Sequence, residues 1–236
     1  MAKTPVWKSI AQTLTGEIAE GHYRPGDKLP TEAALSARFG VNRHTVRHAL
    51  QYLQDQGLTH SRRGAGVFVL AEPTEYPIGK RVRFHQNVKA AGRMPDRRML
   101  STQTRPANTR EAEALQLTVG ALVHVYEGLS LADGVPVALF CSVFPAERFP
   151  RLLEDLNQTN SVTAALRVAH VTDYTRASTR LNAKIANATQ AVHLNVTEGA
   201  PILRTLSVNQ DQDGCPVEYG RTWFVGDRIT LVIEGE

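Results

Sequence analysis

The stretch Asn42-Arg-His-Thr-Val-Arg-His-Ala-Leu-Gln-Tyr-Leu53 decides how the first third of the chain is read. At about 100° per residue, setting Val46 at zero puts Ala49, Leu50 and Leu53 within roughly 60° of it on one arc. Arg43, His44, Arg47, His48 and Gln51 gather on the opposite arc. The spacing predicts an amphipathic helix with Asn42 as N-cap and Gly57 as stop signal. Its polar arc holds two arginines, two histidines and a glutamine, and no acid. A helix that merely faces water usually interleaves Glu or Asp with its cations at i, i+4. An arc of cations and hydrogen-bonding groups alone suits an anionic partner.

Upstream, Val6, Ile10, Leu14 and Ile18 recur every fourth position and describe a first helix ending near Gly21. Arg24-Pro-Gly-Asp-Lys-Leu-Pro30 is a turn-rich connector whose prolines forbid helix. Thr31 is the N-cap of a short second helix, with Glu32 in its first turn, Leu35 and Phe39 facing inward, and Gly40 ending it. A short helix, a tight turn and a longer helix form the arrangement that seats the second helix in a DNA major groove. Downstream, Leu58–Ser61 and Val67–Leu70 read as two strands around Arg62-Arg-Gly-Ala-Gly66. A hairpin tip with two arginines is a wing, able to lie on phosphates or reach into the minor groove.

Charge follows the same division. Residues 1–70 hold nine Lys and Arg against five Asp and Glu, and residues 71–236 hold eighteen of each, so the whole net charge of +4 sits in the first third. A local positive field is what phosphate binding requires. The longest apolar runs, such as Val67–Ala71, are too short to span a bilayer, and Met1–Lys8 lacks the apolar stretch of a secretory signal, so a cytoplasmic protein is expected. Cys141 and Cys215 lie far apart without a CxxC or Cys/His spacing, which suggests neither a disulfide framework nor a metal site, and no cofactor is implied.

At 236 residues two domains are expected: a winged helix-turn-helix over 1–70, a polar proline-bounded linker over 71–77, and a larger domain over 78–236. In the larger domain Ala121–Leu131 and Val135–Phe144 alternate around Asp133-Gly134, and Leu203–Asn209 and Pro216–Phe224 around Asp213-Gly214. Asp133-Gly-Val-Pro-Val137 and Asp213-Gly-Cys-Pro-Val217 are near copies, which hints at a repeated hairpin. Helical windows lie at Asn108–Leu115, Phe149–Leu156, Ser161–Leu166 and Ala183–Leu194. The expected class is α+β with a mostly antiparallel sheet.

Leu29-Pro-Thr-Glu, Arg38-Phe-Gly-Val-Asn-Arg-His-Thr-Val-Arg-His-Ala-Leu50, Gly57-Leu and Arg62-Arg-Gly-Ala-Gly-Val-Phe-Val69 together resemble the DNA-binding domain of the GntR family of bacterial regulators. The resemblance implies that Asn42, Arg43, His44, Thr45, Arg47, Arg63 and Gly64 meet a palindromic double-stranded operator, bound as a homodimer; Thr31 and Arg62 complete the candidate set. The order of elements in the larger domain, with the closing Glu218-Tyr and Gly226-Asp-Arg228, looks like the effector-binding UTRA domain of the HutC branch, which shares its fold with chorismate lyase. Within that branch Val41–Thr45, Arg62–Gly66, Tyr76-Pro and Arg83-Phe-His-Gln-Asn87 are most similar to regulators of phosphonate-utilisation genes.

Such a resemblance implies a repressor that responds to a small anion: a phosphonate, a phosphate ester or another anion. A guanidinium fork matches phosphate oxygens bidentately, so the candidates are Arg83, ahead of a short helical segment holding His85 and Asn87, and Arg180 in the strand-like run Asp173–Asn182. Glu218 and Arg228 stand where the branch's sugar-phosphate sensors place a ligand-contacting acid. Those sensors also carry an Arg-x-Arg pair before the Asp-Gly turn, and here Gly128 and Ser130 stand at the matching positions. Two readings compete: a branch member serving histidine or sugar-phosphate use, and a lyase-like enzyme with a DNA-binding head. The enzyme reading needs a poised acid or base, and His124, His170 and His193 are scattered with no Ser/His/Asp grouping or carboxylate pair, so no catalytic residue is assigned.

Overall fold

In a computed structural model, residues 5–62, 64–70, 73–81 and 83–233 are described. The chain forms two compact units, Met1–Glu72 and Pro73–Glu236.

The first unit contains α1 (Val6–Ala19), α2 (Glu32–Phe39), α3 (Arg43–Asp55), β1 (Thr59–Arg62) and β2 (Gly66–Val69). Each short helix is started by a side chain: Thr31 accepts from Ala34 N at 3.2 Å, and Asn42 from Thr45 N at 2.8 Å. Gly40 closes α2 at φ +64°, a conformation that costs glycine little. Ile10 and Leu14 of α1, Leu35 of α2 and Val46, Leu50 and Leu53 of α3 form one core. The connector ahead of α2 is laid against β2 by Leu29 N→Val67 O at 2.8 Å and Val69 N→Asp27 O at 2.9 Å, so the outer edge of β2 is paired with the connector.

The second unit is α+β. Its centre is a six-stranded antiparallel sheet of β4 (Pro95–Pro106), β5 (Leu122–Ala132), β6 (Val135–Pro145), β7 (Thr175–Ile185), β8 (Pro201–Gln210) and β9 (Pro216–Val225), in the order β4-β5-β6-β9-β8-β7. Around it lie α4 (Phe84–Ala90), α5 (Thr109–Leu115), α6 (Leu152–Thr159), α7 (Val162–Val168) and α8 (Ala188–Leu194). On one face Tyr126, Phe140 and Phe144 pack with Leu152, Leu156 and Leu166 of α6 and α7. On the other, Ala112 and Leu115 of α5 meet Val123, Val125 and Val143, and Leu194 of α8 meets Leu129, Leu131 and Val225.

The repeated hairpin belongs to a longer repeat. The run α4-β4-α5-β5-β6 is followed by α7-β7-α8-β8-β9, and the two halves meet at the β6–β9 pairing in the middle of the sheet. Each long strand ends in Ala-Asn and a capping box, Asn108 with Glu111 and Asn187 with Gln190. Ala107 N→Ala121 O and Ala186 N→Ala200 O, at 2.8 and 2.9 Å, repeat the same closure. The turns differ. Asp133 and Gly134 both have positive φ, +52° and +75°, and make a two-residue hairpin, whereas around Gly214 the Asp211 carboxylate accepts from Asp213 N and Cys215 N in a wider loop.

Three expectations change. Residues 74–77, read as linker, form a strand β3 (Thr74–Pro77) pairing in parallel with β10 (Ile229–Val232), with Tyr76 buried. Proline fixes φ near strand values and lacks only a donor, so a proline at a strand end does not forbid pairing. The helical window over 183–194 begins too early, since Ala183–Ile185 are the end of β7. The edge strand β4 was not anticipated, because its polar sequence alternates between half-buried and exposed and its two apolar residues besides the prolines, Met99 and Leu100, are adjacent and so mark no period of two.

Candidate functional site

The candidate DNA surface is the N-terminal half of α3. Arg43 and His44 are exposed, and Thr45 is tied to Asn42, whose Oδ1 accepts from both Thr45 N and Thr45 Oγ1 (2.9 Å). Arg47 Nε and Nη2 donate to the two carboxylate oxygens of Glu32, at 3.0 and 2.7 Å. The arginine-bearing half of the arc, which has no acid of its own, thus receives one from α2, a pairing no helical wheel can show. The hydrogen bond from Arg47 holds the Glu32 carboxyl below its usual range. Farther along, His48 stacks on Trp7 with ring centroids 4.2 Å apart and Gln51 donates to Asp55 at 3.0 Å, so the end of the arc is engaged within the unit. Thr31 serves as the α2 cap. At the wing, Arg62 closes the β1–β2 register opposite Gly66, Gly64 sits at φ +76°, and Arg63 lies outside the described residues.

The second site is a cavity of about 440 Å³ over the α6–α7 face of the sheet. Strand parity selects its floor: Ser130, Phe140, Ser142, Glu218, Gly220, Thr222, Thr205, Ser207 and Asn209 stand on one face, in register across β5, β6, β9 and β8. Its walls come from Tyr76 of β3 and Ile78 after it, Arg83 to Gln86 at the start of α4, Arg97 of β4, Thr159 to Thr163 where α6 gives way to α7, and Tyr174, Arg176 and Thr179. Three guanidiniums face this space. Arg83 stacks on the Tyr174 ring, 3.6 Å from its centroid, and donates to Tyr174 O at 2.9 Å and Asp173 at 3.3 Å. Arg97 lies over the Phe140 and Phe84 rings, and its buried Nε has no acceptor among the described residues. Arg176 Nε is likewise buried without an acceptor, and burial pushes this guanidinium below its usual range. Burial also pushes the Tyr76 hydroxyl up to about 12, keeping it a neutral donor, and lowers His85, which Arg97 lowers further.

Of the residues expected to contact an effector, Arg83, His85, Ser130 and Glu218 line this cavity. Asn87, Arg180 and Arg228 do not. Asn87 donates to Pro77 O at 3.2 Å, joining α4 to β3. Arg228 is buried and donates to the carbonyls of Pro136, Leu194 and Asn195, so it closes the C-terminal end of α8. Arg180 is displaced by a β-bulge between Arg176 and Ser178 that reverses the alternation of β7, so Arg176 and Thr179 turn inward and Arg180 faces water. Arg97 and Arg176 were missed. The bulge hides Arg176, while Arg97 stands directly across the β4–β5 pair from Ser130. It supplies a cation beside the position where the sugar-phosphate sensors carry an arginine. At Gly128 a Cβ would lie 2.7 Å from Phe140 Cζ and from Arg98 O, so Phe140 fills the place of the other.

Residues 7–69 match the model of the bacterial regulatory proteins of the gntR family, and residues 90–230 that of the UTRA domain. The chain is a GntR-family regulator with a UTRA domain. It is 38% identical over 230 residues to an HTH-type transcriptional regulator of Rhizobium meliloti and 33% identical over 229 residues to the transcriptional regulator PhnF of Escherichia coli, each alignment covering 97% of this chain and 94% of the relative. The crystal structure of PhnF from Mycobacterium smegmatis superposes with a TM-score of 0.66 at 28% identity, over 98% of this chain and 99% of that one. The arrangement is that of the HutC branch: a GntR head that binds DNA and a UTRA domain that binds a small-molecule effector. No helix among the described residues is long and apolar enough to cross a membrane.

Proposed function

We propose that this regulator is a cytoplasmic repressor that binds a palindromic operator as a homodimer and is released by a small anionic effector, in control of phosphonate uptake or breakdown genes. The observation that carries the effector class is Arg176: a half-buried guanidinium facing a cavity, its Nε buried without an acceptor and no carboxylate within ion-pair distance among the described residues. A desolvated N–H without an acceptor on a charged group is costly, and an anion in the cavity removes that cost. Likeness to the two PhnF proteins supports the phosphonate assignment. In this reading Arg43, His44 and Arg47 read base edges, the wing around Gly64 meets the backbone or minor groove, and the effector alters the fit of two heads to half-sites about one helical turn apart.

A thermal-shift screen of the full chain with alkylphosphonates, phosphate, sugar phosphates and imidazole carboxylic acids tests it. A ligand that binds the folded state alone raises the melting temperature. A phosphonate should give the largest shift and Arg176→Ala should abolish it. A shift with imidazole acids alone, or one indifferent to Arg176→Ala, would remove the anionic-effector reading.

A further inference from the structure

The cavity holds one carboxylate among its cations. Glu218 lies on its floor, and its two oxygens are held by neutral donors: Ser142 Oγ on Oε1 and Asn209 Nδ2 on Oε2, each at 2.6 Å. Ser142 and Asn209 are both buried, so these bonds fix the carboxylate in one orientation. Each oxygen has a further lone pair to offer. Its charge favours the ionised Arg176 guanidinium across the cavity, and it also repels the anionic end of any ligand that comes near it.

Arg176 is the natural partner for that carboxylate, yet the fold keeps them apart. In register, Arg176 of β7 faces Asn209 of β8, and Asn209 faces Glu218 of β9. Two strand spacings, about 9–10 Å, therefore separate the two backbones, with a neutral amide between them. Gly220, on the same face as Glu218, keeps the approach open: a Cβ there would lie 3.8 Å from Glu218 Oε1 and 2.9 Å from Ser207 Oγ. The backbone at Gly220 is extended within β9, so the close approach of Ser207 Oγ and not a turn explains this glycine.

The cavity thus presents a fixed negative group and an unpaired positive group on one sheet face, divided by Asn209. We infer that the effector is a zwitterion: its phosphonate or phosphate end takes Arg176 and Arg83, and a primary ammonium joined by a short linker takes Glu218. This inference rests on the anionic-effector reading above and adds the second charge. Discrimination follows directly, because a ligand without the amine leaves the half-buried Glu218 beside an anion and unmatched.

Calorimetric titration of the full chain with 2-aminoethylphosphonate, ethylphosphonate and inorganic phosphate tests it, since the first two differ only in the amine. A hydrogen bond to a charged group predicts that the amine tightens Kd about tenfold or more. Glu218→Gln, which keeps the shape and removes the charge, should bring the two phosphonates to one affinity by weakening 2-aminoethylphosphonate and tightening ethylphosphonate, while Arg176→Ala weakens both. Equal Kd values for the two phosphonates in the unmodified protein overturn the ammonium subsite and leave the anion reading standing. Equal loss of both in Glu218→Gln also overturns it, making Glu218 a structural group. No binding of any of the three removes the anion reading together with this one.

Discussion

Arg47 of α3 is clasped by Glu32 of α2 through two parallel hydrogen bonds, one to each carboxylate oxygen. Both side chains are partly exposed, so water screens the pair and it adds little to stability. In the proposed binding mode the pair fixes the direction of the Arg47 guanidinium before DNA arrives. A negative charge there also repels phosphate. Glu32→Gln should therefore strengthen binding to random duplex and lower the ratio of operator to random affinity by roughly two- to fivefold. Competition binding with both duplexes at one salt concentration measures the ratio; an unchanged ratio removes the positioning role.

Asn42 caps α3 through the bonds from Thr45, and this explains its place before the helix without DNA. Replacing such a cap by Ala costs about 1 kcal/mol, and Ser or Asp keeps most of it. Chemical denaturation of Asn42→Ala and Asn42→Ser should separate the two by that amount. Equal stability would mean that the cap bonds carry no net weight.

Gly128 is demanded by close approach. Any Cβ meets Arg98 O on β4 and Phe140 on β6 at 2.7 Å, and the first of these is backbone that cannot swing aside. Gly128→Ala should destabilise the UTRA unit by about 1–3 kcal/mol. The paired substitution Gly128→Ala with Phe140→Leu should recover little, since the contact with Arg98 O remains. Full recovery in a denaturation experiment would assign the constraint to the ring instead.

Glu111 sets an acid limit on the same unit. Burial raises its pKa, but hydrogen bonds from Arg105 (2.7 and 2.8 Å) and from Asn108 N outweigh this, and the net shift is downward. The sign follows: with the folded value below the unfolded one, this stability is present above the ordinary carboxylate range and is lost as pH falls through the folded value. Glu111→Gln, which keeps an acceptor oxygen for Arg105 but removes the charge, should weaken folding at neutral pH by about 1–3 kcal/mol and should flatten the acid side of a melting-temperature profile. A parallel profile for mutant and parent would show that other carboxylates set the acid limit.

Much of this was legible in the chain. The 3.6-residue spacing of Val46, Leu50 and Leu53, the caps at Thr31 and Asn42, and the two Asp-Gly turns are local signals, and the elements they mark are where the residues put them. What escaped depends on parity and on distant partners. One bulge after Arg176 exchanged Arg180 for Arg176 as the inward cation, and a strand rich in polar residues concealed Arg97. Arg228 read as a ligand contact because a lone cation in sequence does not reveal that three carbonyls await it. Glu32 could be read as a helix-dipole residue but not as the partner of Arg47, fifteen positions away.

The central claim is that α3 reads operator bases and that the basic charge of the head meets phosphate. Selection of a duplex from a random pool, followed by anisotropy titrations of the parent, Arg43→Ala and Arg47→Ala at several salt concentrations, tests it most directly. The account predicts an enriched palindromic duplex and a loss of about 1–3 kcal/mol for an arginine that contacts a base, or a salt slope shallower by about one for an arginine that contacts phosphate. Affinity and slope unchanged in both variants would contradict it.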